Sequence, residues 1–387
     1  FKQSLIHPLT GNYFWMDTML EGDNEIGEKH YQINDIPNSY YAGNVGILIA
    51  LLALNNYKSY QNYIDKLIVD IEMDIDKIFK HNYSEMNIGA YNGLAAYIRY
   101  YIAINRNKLI CQSEFEERVT MLLNQIEMSL DHDKKLDVLD GAAGVALVLV
   151  EIQNIVKNPV MTIKIVELMK KCRQHLLESM VCQEGKLYFP LEYGTNLYYG
   201  GLAHGSCGII MSLHKMSKQM KTNDSDVLKN LLATERDLYD SINHVWYRDN
   251  KKVDYSWGWC HGSPGILLSR LEMYSDGYYD SYIMDEIKTL YEVTMQKAYG
   301  SNLTFCHGDL SNIIICKYAQ DLLNFKDDRV NDYVASILPY ILTSIEHKIR
   351  GTEAVGLMSG LMGIVLFLDN VVIKNDETEL RRILTAI

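Results

Sequence analysis

Cysteine and histidine set the chemistry open to this 387-residue chain. Two stretches share one frame: Trp259-Cys260-His261-Gly262-Ser263-Pro264-Gly265 and Phe305-Cys306-His307-Gly308-Asp309-Leu310-Ser311. Two soft sulfurs, Cys260 and Cys306, and the imidazole of His307 can converge on one Zn²⁺ and leave its fourth position open, as in a catalytic rather than a structural zinc site. The cysteines are too far apart for a zinc finger; equivalent places in a repeat are what would bring them together. His261, beside Cys260, competes as a ligand. A zinc held by two thiolates and one imidazole is electrically neutral, and can accept a substrate thiol and hold it as a nucleophilic thiolate. The natural reaction is transfer of that thiol to an electrophile. Attack on an electron-poor alkene yields an enolate, which needs an acid. His204 is the leading candidate for the proton donor, and Asp137 for the group that fixes its ring and tautomer. Asp140 and Asp309 fit helix N-terminal caps. The same residues also fit plain packing: a buried thiol pair, a histidine at a helix start, a first-turn carboxylate.

The elements that would position these groups are repeats. A Gly-x-x-Gly unit followed by an apolar run occurs at Gly43–Gly46, Ala90–Gly93, Gly141–Gly144, Gly205–Gly208, Gly262–Gly265, Gly308–Ser311 and Gly360–Gly363, imperfectly at Ala90 and Ser311. Each unit is expected to start a helix, with Ser263 and Pro264 as cap and first residue. The following runs, such as Ile47 to Leu54 and Val145 to Val150, are apolar nearly all round and read as buried helices. Between them lie amphipathic segments at 61–80, 115–130, 160–180, 281–298 and 331–349. In the first, Ile64, Leu67, Ile68, Ile71, Ile75, Ile78 and Phe79 share one face. The fold class is all-α: an α/α toroid of seven inner and seven outer helices, closed because the terminal repeats are as apolar as the middle ones. Closure gathers the inner-helix N-termini and every glycine loop at one end, where a site belongs. Polar groups cluster before the glycines of repeats three to six, while repeats one and seven offer only Ala42 and Ser359. Residues 185–200 suggest a small hairpin flap. Residues 1–38 read as an irregular lead-in and 39–387 as one domain.

Composition narrows the class. Net charge is −12, which argues against nucleic-acid or anionic-membrane binding. No apolar run reaches the length of a membrane span. Seven widely spaced cysteines make a poor disulfide scaffold and suit a reducing compartment, so a cytoplasmic location is expected.

The stretches at 201–208, 259–265 and 305–308 resemble those of the lanthionine synthetase cyclase (LanC-like) family, and the resemblance covers residues 40–370. Cys306-His307-Gly308-Asp309-Leu310 and Val355–Gly363 are similar to the cyclase domain of bifunctional class II lanthipeptide synthetases (LanM). The resemblance implies Zn²⁺ on Cys260, Cys306 and His307, His204 as the catalytic histidine and Asp137 as its partner. It makes Trp259 the aromatic residue beside the first zinc cysteine; with His261 it is a candidate for the substrate site. It also implies a ribosomal precursor peptide whose Ser and Thr residues have been dehydrated, and thioether rings as product. An arginine that stand-alone cyclases carry shortly before the first zinc cysteine is missing; Ser256-Trp257-Gly258 stands there. No segment resembles a dehydratase, and an N-terminal dehydratase domain of the same polypeptide is an expected partner. Two rivals use similar chemistry: a prenyltransferase-like thiol alkylation on an α/α toroid, and a non-catalytic glutathione- or peptide-binding scaffold.

Overall fold

The computed structural model describes residues 5–6, 13–14, 16–23, 29–81, 86–191, 194–348 and 354–387. Helices, labelled in chain order, dominate it. The inner set is α1 (Asn44–Ala53), α3 (Leu94–Arg106), α5 (Ala142–Gln153), α7 (Ser206–Met220), α9 (Ser263–Ser275), α11 (Asp309–Leu323) and α13 (Leu361–Phe367), the last continued by a π-helical turn at Leu368–Lys374. Nine of the ten residues of α1, Asn44 to Leu52, are buried, as its all-round apolar sequence requires. Alternating with these are α2 (Gln61–His81), α4 (Gln112–Ser129), α6 (Pro159–Glu178), α8 (Ser225–Arg236), α10 (Ile283–Lys297) and α12 (Arg329–Lys348). They bury one face only: α2 turns Ile64, Leu67, Ile71, Ile75 and Ile78 inward. A fourteenth helix, α14 (Thr378–Thr385), packs on α11.

The inner helices meet their neighbours in sequence order from α1 to α11, and α13 packs back on α1. A backbone circuit completes the closure. The residue two places before each cap glycine donates its N–H to the carbonyl of its counterpart in the next repeat: Tyr41 to Tyr91 (3.2 Å), Tyr91 to Leu139 (3.2 Å), Leu139 to Ala203 (3.2 Å), Ala203 to Cys260 (3.0 Å), Cys260 to Cys306 (3.3 Å), Cys306 to Met358 (2.9 Å) and Met358 to Tyr41 (2.9 Å). These seven bonds run in one direction and return to their start. They fix the loops against one another without using any helix hydrogen bond.

The cap residues are Gly43, Gly93, Gly141, Gly205, Gly262, Gly308 and Gly360, all in extended backbone. Their reason is therefore space, not a left-handed turn. A Cβ on Gly141 would sit 2.4 Å from the Leu136 nitrogen, and one on Gly144 2.1 Å from the Val138 oxygen. Two details of the sequence reading shift. Repeat two is in register from Gly93, with Ala96 as its second small residue, rather than from Ala90. The α9 cap is Gly262, so Ser263 and Pro264 lie inside the first turn.

Short antiparallel pairs decorate the helices. They are β1 (Leu5–Ile6) with β2 (Tyr13–Phe14), β3 (Met16–Asp23) with β4 (Lys29–Asp35), β5 (Val181–Gln183) with β6 (Lys186–Tyr188), and β7 (Tyr239–Asp240) with β8 (Val245–Trp246). The expected irregular lead-in thus carries paired strands where it is described. Alternation at Tyr31-Gln32-Ile33-Asn34 is the period-two signal that the helical reading passed over. The flap is β5–β6, earlier than 185–200, turning at Glu184-Gly185 with positive φ at both. Among the described residues no helix is long and apolar enough to cross a membrane.

Candidate active site

The hydrogen-bonded circuit places chemistry by register. Its members Cys260 and Cys306 are consecutive, and the residues following the seven circuit positions are Ala42, Asn92, Asp140, His204, His261, His307 and Ser359. Two groups of side chains result. The first is Cys260, Cys306 and His307, whose ligand atoms lie within 4.8 Å of one another. The Cys306 sulfur is 3.5 Å from His307 Nε2, both sulfurs are buried, and His307 is exposed. The Cys306 S–H, and then His307, pull the Cys260 thiol down, while burial pushes Cys306 up. Tyr41 lies beside Cys306; burial, then the neighbouring sulfur, keeps its hydroxyl protonated. Two sulfurs and one imidazole nitrogen, with the imidazole open to solvent, form a donor set that suits zinc, and these three residues would hold the ion with a fourth position left over.

The second group is Asp137, Asp140 and His204. His204 Nδ1 lies 3.0 Å from Asp137 Oδ2, and the other Asp137 oxygen accepts from the Asp140 N–H at 2.7 Å. Burial works against a charge on His204, but the Asp137 hydrogen bond and carboxylate outweigh it and the pKa is raised. Burial, then the nearby Asp137, raises Asp140. His261 stacks on His204, centroids 5.0 Å apart and planes at 21°, and meets Tyr199 edge-on at 5.8 Å. It joins neither group, and its buried Nδ1 has no hydrogen-bond partner. Burial lowers its pKa to about 4, so it is neutral near pH 7. A cavity of about 300 Å³ opens over this group, walled by Phe189, Pro190 and Leu191 beyond the flap and by Tyr199.

Trp259 does not face this cavity. It is fully buried, with its indole N–H donated to the Leu384 carbonyl at 2.9 Å, which leaves it no surface for substrate in this structure. Asp309 is also buried; it accepts from the Gly300 and Ser301 N–H groups and from the Tyr333 hydroxyl (2.5 Å), pinning the loop before α11. Tyr41, Tyr91 and Tyr199 escaped the sequence reading. The first two occupy the same register position as the cysteines, which is the signal that would have found them.

The profile of the lanthionine synthetase C-like protein family matches residues 34–385. The chain belongs to that family. A curated relative, the lacticin 481/lactococcin biosynthesis protein LcnDR2 of Lactococcus lactis subsp. lactis, is 25% identical over 382 residues, covering 91% of this chain and 37% of its own length. The chain therefore spans just over a third of that protein. Among solved structures, nisin cyclase superposes with a TM-score of 0.67 at 18% identity, covering 90% of this chain and 91% of that one. That likeness agrees with the α/α toroid.

Proposed function

We propose that the chain is a zinc-dependent lanthipeptide cyclase: it adds peptide cysteine thiols to dehydroalanine or dehydrobutyrine residues and closes (methyl)lanthionine rings. The observation that carries this reading is the convergence of Cys260, Cys306 and His307 on one side of the circuit, with the His204–Asp137 pair on the neighbouring repeats. Cys260, Cys306 and His307 would hold the zinc, which when bound supplies the Lewis acidity that keeps a substrate thiol ionised near pH 7. The remaining work falls to side chains of the chain. Addition forms a C–S bond at the alkene β-carbon, breaks the π bond and leaves an electron pair at the α-carbon. His204 delivers a proton there from Nε2, while Asp137 holds Nδ1 and stabilises the charged ring. One proton leaves with ionisation of the thiol and one arrives at carbon, so mass is unchanged. His261, neutral and stacked on His204, fixes the plane of that ring. Phe189, Pro190 and Leu191 shield the cavity from water.

The substrate on this reading is a ribosomal precursor peptide, and a dehydrating activity must act on its Ser and Thr residues first. The similarity to a lacticin 481/lactococcin biosynthesis protein of which the match covers only 37% is consistent with a dehydratase domain as the partner. Incubation with a dehydrated, cysteine-containing peptide, followed by thiol blocking and mass measurement, tests the proposal. Cyclisation leaves the mass unchanged and the thiols unlabelled. Full labelling by a zinc-loaded sample contradicts it, and one alkylated cysteine without ring closure when a prenyl diphosphate is added, with diphosphate released, would favour a prenyltransferase-like activity.

A further inference from the structure

The last turn of a helix leaves its carbonyls without intrahelical partners. In α14 those carbonyls are taken by donors from the ring of loops and from α3. The Tyr91 hydroxyl donates to Ile383 O (2.6 Å) and the Trp259 indole to Leu384 O (2.9 Å). The buried Arg99 guanidinium donates to Arg382 O (3.1 Å) and Ile383 O (3.3 Å). Tyr91 and Trp259 close the arrangement edge to face, centroids 5.2 Å apart at 63°. Arg99 lies over the Tyr40 ring at 3.6 Å. Lys317 of α11 holds the start of α14 through Glu377 at 2.8 Å, and Arg381 pairs with Asp321. One short helix is thus tied to repeats two, five and six. Trp259 immediately precedes Cys260, and Tyr91 occupies the circuit position equivalent to both cysteines.

From this geometry we infer that α14 is a brace for the metal-binding loops, and that Trp259 is a positioning residue that sets Cys260 against Cys306. The inference rests on the zinc reading of the site. Packing alone would need the bulk of the indole; it would not need its N–H aimed at a carbonyl of α14. Removal of that one bond leaves a buried carbonyl unpaired and frees the residue next to a ligand. Outer-shell partners of metal ligands typically contribute 10–100-fold in affinity.

Trp259→Phe and Tyr91→Phe each delete one donor and keep an aromatic ring. With helical circular dichroism unchanged, Trp259→Phe is expected to weaken zinc about tenfold in a chelator competition and to alter the visible spectrum of the cobalt-substituted protein; Tyr91→Phe acts in the same direction. Wild-type zinc affinity and cobalt spectrum in a folded Trp259→Phe protein would overturn the brace. A wild-type chain that takes up neither metal would instead overturn the zinc reading. The brace is then decided by alkylation of Cys260 in metal-free protein: faster in Trp259→Phe supports it, and an equal rate refutes it.

Discussion

The division of labour proposed for His204 and Asp137 makes the sharpest predictions at the scale of single residues. Removal of the proton donor in His204→Gln should lower kcat by about 10²–10⁴-fold and leave zinc content intact. Loss of zinc in that variant would mean that His204 belongs to the metal site. The pH dependence follows from the raised pKa of His204. On the proposed mechanism its acid form is the active one, so activity should hold below that pKa and fall as pH rises through it. Asp137→Asn removes the carboxylate that does most to raise it, leaving only Asp140 and Cys260 against the effect of burial. The alkaline limb of kcat should therefore move to lower pH, and an unmoved limb would separate Asp137 from the chemistry. The convergence of Cys260, Cys306 and His307 was legible because sulfur and imidazole recur in one frame. The stacking of His261 on His204 was not, because nothing in the order Cys260-His261 fixes which way a ring turns.

Elements matter here through their junctions. Gly201 has φ +97°, and a Cβ on it would lie 2.6 Å from His261 Cα and 2.8 Å from Cys260 O. Gly201→Ala should therefore cost at least about 1–3 kcal/mol of stability from backbone strain. It should also loosen metal binding, since the clash falls on the backbone of Cys260 and His261. Denaturant melts with parallel zinc titration check this, and wild-type values in both would show that the two loops are not in hard contact. The sequence made the helices plain, because all-round apolar runs alternate with one-faced ones. It misplaced repeat two because Ala96 stands where five of the other six repeats have glycine, and only the circuit of N–H to C=O bonds sets the register. The path of α14 was hidden for a related reason: its partners Tyr91 and Trp259 lie 292 and 125 residues away along the chain.

For the whole molecule the question is what holds the fold. The core is one contiguous apolar cluster spanning every repeat, and buried ionic groups lie within it. Arg270 of α9, fully buried, reaches Glu235 of α8 at 2.7 Å and Glu286 of α10 at 3.3 Å. A zinc finger folds on its metal because it has little else; this chain has a large core and a closed backbone circuit. Cys306→Ala, or chelation, should abolish zinc binding and leave the helical circular dichroism in place. Unfolding on chelation would mean that the ring depends on the ion. On the proposed function, two sulfurs and one imidazole from separate repeats share a metal with a position left for substrate sulfur. X-ray absorption at the zinc edge, with and without dehydrated peptide, reads that shell. Two sulfur scatterers and one histidine in the free protein, rising to three sulfurs with peptide, is the predicted result. A metal-free protein that still forms thioethers, or a zinc shell without cysteine sulfur, would contradict it.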